Sequence, residues 1–374
     1  LQVIRTSDRQ YFKRCRVLWD YTSKIRQNYE PVARIEALDF GTAMHKALEA
    51  YYQPLTWGDQ GLQQQRAVEA FLDAIKDIGL KVKVGPLEFE ERWTELRELG
   101  LDMLRFYFAY APPRDAFQPI FVEVEFEVPI PGLGGVVYQG RIDLIVEDEY
   151  GYWLVDHKTT AQFADTEWLA LDDQCSSYAW AIREQLGLEV RGVIYNELRK
   201  KAPKKPKVLR SGELSVNKMQ DTTYETFLAT IRELGYKEEG YRNFLNYLKA
   251  NPKQFVRRTK IIYRPETLKV VERRIQLEAM SMLNHPSIYP TPSRMNCNGC
   301  SFFAPCLALH EGRDPETILD ENYTRRQSDN GRTQPNTTST VDTPTVRRAP
   351  DDGDRTDSWT GGSLGSVADR GAGT

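Results

Sequence analysis

Asp143 stands inside the apolar run of QGRIDLIVED, flanked by Ile142, Leu144, Ile145 and Val146. A carboxylate among such neighbours needs a cation or a metal ion to offset its desolvation. Thirteen residues later comes Asp156-His157-Lys158. In a strand, Asp156 and Lys158 project from the same face, and an adjacent strand would bring Asp143 alongside. Two carboxylates and a lysine on one sheet face are the minimum for metal-assisted phosphodiester hydrolysis. The carboxylates hold Mg²⁺ or Mn²⁺, the metal acidifies a water, and the lysine orients that water or offsets developing charge. As a bare pair, Asp143 and Lys158 fit an internal salt bridge equally well.

A second constellation is Cys297-x2-Cys300-x5-Cys306, with Cys15 far upstream in FKRCRVLWDY. Three thiols within ten residues signal a metal, and the odd total of 5 cysteines argues against a disulfide framework. Read locally, His310 completes a tetrahedral zinc set with the three clustered cysteines. Cys175 is left over and reads as a small buried core residue.

The elements that must position these groups follow from periodicity. Met44, Leu48 and Tyr52 in GTAMHKALEAYY recur at helical spacing, with His45 and Glu49 on an adjoining face. Glu49 reads as a helix-surface acid. Residues 60–84 and 88–110 continue as helices until Pro112-Pro113. The period then drops to 2: Val122, Val124, Phe126 and Val128 alternate with Glu123, Glu125 and Glu127, and PIPGLGG is a turn. Further strands are predicted over 136–147, 152–158 and 190–198, and a helix over 166–186 with Trp168, Leu171, Cys175, Tyr178 and Ile182 at core spacing. This order predicts a mixed α/β core.

The 374 residues are 40% hydrophobic and 28% charged, enough for a large core, with no repeat and no long apolar run; we expect a soluble, intracellular protein without membrane association. Net charge is −3, so contact with nucleic acid must come from a local basic surface. The candidates are the proline-broken run Arg199, Lys200, Lys201, Lys204, Lys205, Lys207 and Arg210, and secondarily Arg257, Arg258 and Lys260. Tyr11, Phe12, Trp19 and Tyr21, around Cys15, either stack exposed bases or cover the cysteine site. We expect a folded domain over 1–323 and, from its polar composition, a disordered tail over 324–374.

QGRIDLIVEDEYGYWLVDHKTT resembles the core of the PD-(D/E)xK nuclease superfamily, and its DHKT form is most similar to the RecB branch. GTAMHKALE is similar to that branch's upstream helix, whose histidine is a metal ligand, which carries that role onto His45. DDQCSSYAW resembles the downstream Q-x-x-x-Y motif and places Gln174 and Tyr178 beside the site. The resemblance spans about residues 40–180. It implies a restriction-endonuclease-like α/β fold, with His45, Asp143 and Asp156 as ligands of Mg²⁺ or Mn²⁺ and Lys158 acting on the water. AddB-type and CRISPR-associated RecB-like nucleases resemble this chain in one cysteine ahead of the core and three after it. That layout implies a [4Fe-4S] cluster on Cys15, Cys297, Cys300 and Cys306, capping the fold at its C-terminal end, with Zn²⁺ as the alternative.

The function so implied is a DNA exonuclease in recombination, repair or end processing. It would act on single strands or free ends, alongside recombination or replication proteins, in the cytoplasm of a bacterial or phage-infected cell. The competing reading is a non-catalytic DNA-binding scaffold whose metal centre is purely structural.

Overall fold

The computed structural model describes residues 1–32, 36–79, 86–284 and 287–326; side chains of 36–39, 77–79 and 86–92 are outside the description. Residues 1–326 form one compact unit. The expected tail falls almost wholly outside the described residues, as do 80–84 of the expected second helix.

The chain opens with β1 (Gln2–Arg5), α1 (Thr6–Arg14), α2 (Arg16–Thr22) and β2 (Tyr29–Pro31). Three helices follow, α3 (Glu36–Tyr51), α4 (Gln60–Gly79) and α5 (Pro86–Tyr110). Then come the strands β3 (Gln118–Pro129), β4 (Val136–Asp148) and β5 (Gly151–Thr160), the helices α6 (Thr166–Leu171) and α7 (Asp173–Leu186), and β6 (Val190–Arg199). An insertion carrying α8 (Tyr224–Glu233) and α9 (Arg242–Ala250) leads to β7 (Val256–Ile262) and α10 (Pro265–Leu283). The described chain ends with α11 (Arg294–Cys297), α12 (Phe303–His310), α13 (Glu316–Asn322) and β8 (Tyr323–Arg325).

Strand order in the main sheet is β1-β4-β5-β6-β7, with β3 also paired to β4. β3–β4, β4–β5 and β6–β7 are antiparallel, while β1–β4 and β5–β6 are parallel. The fold is therefore mixed α/β, as the order of periodicities predicts. β4 is buried on both faces, with Leu144, Ile145 and Val146 at zero exposure, each contributing roughly 1.5–3 kcal/mol. Ile145, Leu154, Val193 and Tyr195 pack with α7 and α10 on one face. Leu144, Val146, Val155 and Ile194 pack with α3, α4 and α5 on the other. Among the described residues no helix is long and apolar enough to cross a membrane.

Two local expectations are corrected. The helix predicted over 166–186 is two helices, because Asp165 and Asp172 each cap a new N-terminus: their carboxylates accept from the N–H groups of Glu167 and Gln174. Cys175, Tyr178 and Ile182 are in the core, but Trp168 and Leu171 are each 70% exposed. The strict alternation of β3 also fails. Glu123 has a φ of 51°, and the pleat changes face there: Val122 packs with the α3 side and Val124 with the α7 side.

Candidate active site

The edge of β4 that faces away from β3 is shared. β5 pairs with it over Leu144–Asp148 and β1 over Val136–Gln139, and Asp143 falls between the two registers. The β4–β5 ladder ends at Leu144↔Val155, one step before Asp143 and Asp156. Beyond it the main chains fork, and the Asp143 carboxylate takes the His157 N–H instead, Oδ2 accepting at 2.8 Å. The same oxygen lies 3.5 Å from His45 Nδ1 on α3.

Asp156 is 6% exposed. Its Oδ1 accepts from Lys158 Nζ at 3.0 Å, and Lys158 Nζ also donates to Gln174 Oε1 at 3.3 Å. Gln174 Nε2 donates to the Tyr178 hydroxyl at 2.9 Å, one turn along α7. His45, Asp143, Asp156, Lys158, Gln174 and Tyr178 thus converge from α3, β4, β5 and α7.

The electrostatics separate the two carboxylates. Burial acts to raise both, yet His45 and the His157 N–H hold Asp143 below the usual carboxylate range. For Asp156, burial outweighs the attraction of Lys158 and the pKa rises, with Asp143 adding repulsion. Burial disfavours the Lys158 ammonium, but Asp156 more than offsets it and the pKa is raised, so this lysine is a fixed cation rather than a base. His45 is raised too, Asp143 overcoming burial.

Among the described residues no set of three or more His, Cys, Asp or Glu side chains is drawn close enough to hold a metal ion as it stands. The donor chemistry nevertheless fits a hard divalent cation. Asp156 Oδ2 is buried without a hydrogen-bond partner among the described residues, an acceptor that a fold does not leave empty without reason. An imidazole and two carboxylates of this kind suit Mg²⁺ or Mn²⁺.

Several contributors were not readable as site residues. Behind the site, His157 Nδ1 accepts from the Asn196 side-chain amide at 2.9 Å, and Asn196 Oδ1 accepts from Arg258 Nε at 3.2 Å. Burial lowers the His157 pKa to about 3, so the ring is neutral and an acceptor there. Arg258 also bonds Asp115, Tyr52 and Tyr107. A polar Asn196-Glu197 pair at the end of an apolar strand was the available signal, the same one that marks Asp143. Glu123, turned by its positive φ, pairs with Arg141 at 2.8 Å; burial raises its carboxyl, with Asp143 and Glu49 adding to the effect. Glu49 pairs with Lys46 on the helix surface, and Glu125 is exposed.

The secondary basic candidates are largely committed elsewhere. Arg258 is internal, Arg257 pairs with Glu197 at 2.6 Å, and Lys260 with Asp148 at 3.1 Å. In the loop after β6, Lys201 pairs with Asp221 and Lys205 with Glu233. Phe12 and Trp19 are buried in the α7-side core, and Tyr21 stacks on Phe302 in the cluster that Cys15, Cys300 and Cys306 pack against, so none of the three presents a free face to a base.

Cys15, at the break between α1 and α2, lines one small pocket with Cys297, Cys300 and Cys306. Burial raises the Cys306 thiol, and the other three cysteines raise it further. His310 is exposed at the end of α12 and does not line that pocket. Cys175 is fully buried in the α7-side core.

The model of the PD-(D/E)XK nuclease superfamily matches residues 6–306. Among curated proteins none matches the chain. Among solved structures, one described as "Crystal structure of SSO0001" is similar at 13% identity, with 56% of this chain and 75% of that chain covered and a TM-score of 0.25.

Proposed function

The chain belongs to the PD-(D/E)XK nuclease superfamily, and from that premise we propose a metal-dependent deoxyribonuclease, an exonuclease working on DNA with free ends in recombination, repair or end processing. The observation that carries this reading is the unpartnered, buried Asp156 Oδ2 beside a lysine held as a cation.

His45, Asp143 and Asp156 would hold Mg²⁺ or Mn²⁺, which when bound supplies Lewis acidity and lowers the pKa of water. Lys158 orients the attacking water and offsets charge developing on the phosphate. Gln174 holds the Lys158 ammonium through its carbonyl and Tyr178 through its amide. The His157 N–H fixes one Asp143 oxygen, leaving the other for the ion.

The test is digestion of end-labelled linear single- and double-stranded DNA with Mg²⁺ or Mn²⁺, against closed circular DNA. Linear DNA is expected to shorten and circles to survive, and Lys158→Met should slow cleavage about 10²–10³-fold, as expected for losing one transition-state donor. Cut circles would replace the exonuclease reading with an endonuclease. No cleavage by folded protein would favour the scaffold.

We further propose that Cys15, Cys297, Cys300 and Cys306 hold a metal centre, as a [4Fe-4S] cluster, capping the C-terminal end of the domain. Protein purified without air is then brown with broad absorption near ~400 nm. Cys15→Ser should bleach it and lower the melting temperature, because the centre ties α1–α2 to α11–α12. A colourless protein that keeps bound zinc when Cys15 is replaced would overturn the cluster and its fourth ligand together.

A further inference from the structure

A cleft of about 630 Å³ opens between the C-terminal end of α5, the α8–α9 insertion and the start of β7. Its lining carries five cations against the single carboxylate of Glu225, in a chain whose net charge is −3. Three of the cations are engaged. Arg257 and Arg258 pair with Glu197 and Asp115, and Lys253 donates to the Met219 and Gln220 carbonyls.

The other two, Arg114 and Lys249, are exposed and form no ion pair among the described residues, although Arg114 Nη1 donates to the Tyr110 carbonyl at 2.8 Å. Each lies against a ring: Arg114 is 4.1 Å from the centre of Tyr110, and Lys249 Nζ is 4.5 Å from the centre of Tyr224. A cation beside a half-exposed aromatic face is the unit that binds one nucleotide of an unpaired strand, with phosphate on the charge and base on the ring. A duplex keeps its base faces stacked inside and cannot use it.

The cleft wall is joined to the strand of the candidate active site through the sheet. Arg258 in its wall is in register with Asn196 on β6, which is in register with His157 on β5. Two strand spacings, roughly 10 Å, separate the two main chains. Asp156 and Lys158, however, alternate with His157 and project toward α7, whereas Arg258 and Asn196 face the α3–α5 side with His157, so the cleft lies on the opposite face of the sheet from Asp156 and Lys158.

We propose that this cleft docks an unpaired DNA segment, with Arg114 and Lys249 on its phosphates and Tyr224 against a base. The inference rests on the nuclease reading and assigns its substrate as single-stranded at this position.

The experiment is fluorescence anisotropy of the full chain, without divalent metal, on a labelled oligo-dT and on a duplex of equal length. It compares wild type with the doubly substituted Arg114→Glu, Lys249→Glu protein, whose fold is checked by melting. Oligo-dT affinity is expected to fall at least tenfold, with a salt dependence shallower by about 0.7 in log–log slope per lost contact, while duplex affinity changes less than twofold. Unchanged oligo-dT affinity, or equal losses on both DNAs, overturns the assignment. Cleavage by wild type with unchanged binding by the variant sinks the cleft and spares the nuclease. Lost binding in the variant, with no cleavage by wild type, does the reverse.

Discussion

Asp156→Asn is expected to lower DNA cleavage by at least about 10³-fold and, in the metal-free protein at pH 8, to raise the melting temperature. The first effect follows from removing an anionic ligand for the catalytic ion. The second follows from burial, which lifts the Asp156 carboxyl to about 6 in spite of Lys158. A carboxyl whose pKa is higher folded than unfolded favours folding while it is protonated, and that contribution is lost as pH climbs through the folded value. At pH 8 the wild type therefore carries an ionised group that the fold disfavours, and asparagine removes it. The gain is of order 1–2 kcal/mol once the amide's own imperfect pairing is set against it. Below about pH 4 both side chains are neutral and the advantage should vanish. Melting curves at pH 8 and pH 4 decide the matter, and an advantage equal at both would mean that charge is not its source.

Arg258→Met is expected to be the most destabilising single change in the region, at roughly 3–5 kcal/mol, a fall in melting temperature of roughly 6–15 °C. Its guanidinium joins Asp115, Tyr52, Tyr107 and Asn196 behind the sheet. Methionine preserves much of the volume but leaves the Asp115 side chain, 2% exposed, with no cation. Much of the loss is therefore the lone buried carboxylate rather than the missing bonds, and adding Asp115→Asn should recover a good part of it. If the double variant melts no higher than Arg258→Met alone, the stranded charge is not the cause. Cleavage should fall beyond what stability explains, because Asn196 would lose the partner that aims it at His157, whose N–H fixes Asp143.

The elements legible in the sequence are those whose period runs long. α3 is legible from Met44, Leu48 and Tyr52, and β4 and β5 from apolar runs interrupted by one carboxylate each. Elements that depend on partners remote along the chain are not legible in the sequence. β7 reads as a basic patch because an edge strand whose arginines pair with Glu197, Asp115 and Asn196 shows no alternation of apolar residues. Asn196 and Arg258 carry no period at all, since their burial is set by three strands meeting. The break at Asp172 was available locally, as an N-cap followed by an acidic first turn. The turn of the pleat at Glu123 was not, because a positive φ at glutamate leaves no mark in composition.

β2 pairs antiparallel with β8, Tyr29 opposite Arg325, while Cys15 shares its pocket with Cys297, Cys300 and Cys306. Contacts of such sequence separation raise contact order and delay folding. During synthesis, moreover, β1 and α1 meet β4 and α7 first, whereas β2 and the outer face of α2 find their partners only when the far end emerges. A chain arrested after β7 would expose Val17, Leu18 and Tyr21, which Phe302 and Tyr323 otherwise cover. An unfinished chain thus carries an apolar patch that only the completed domain buries.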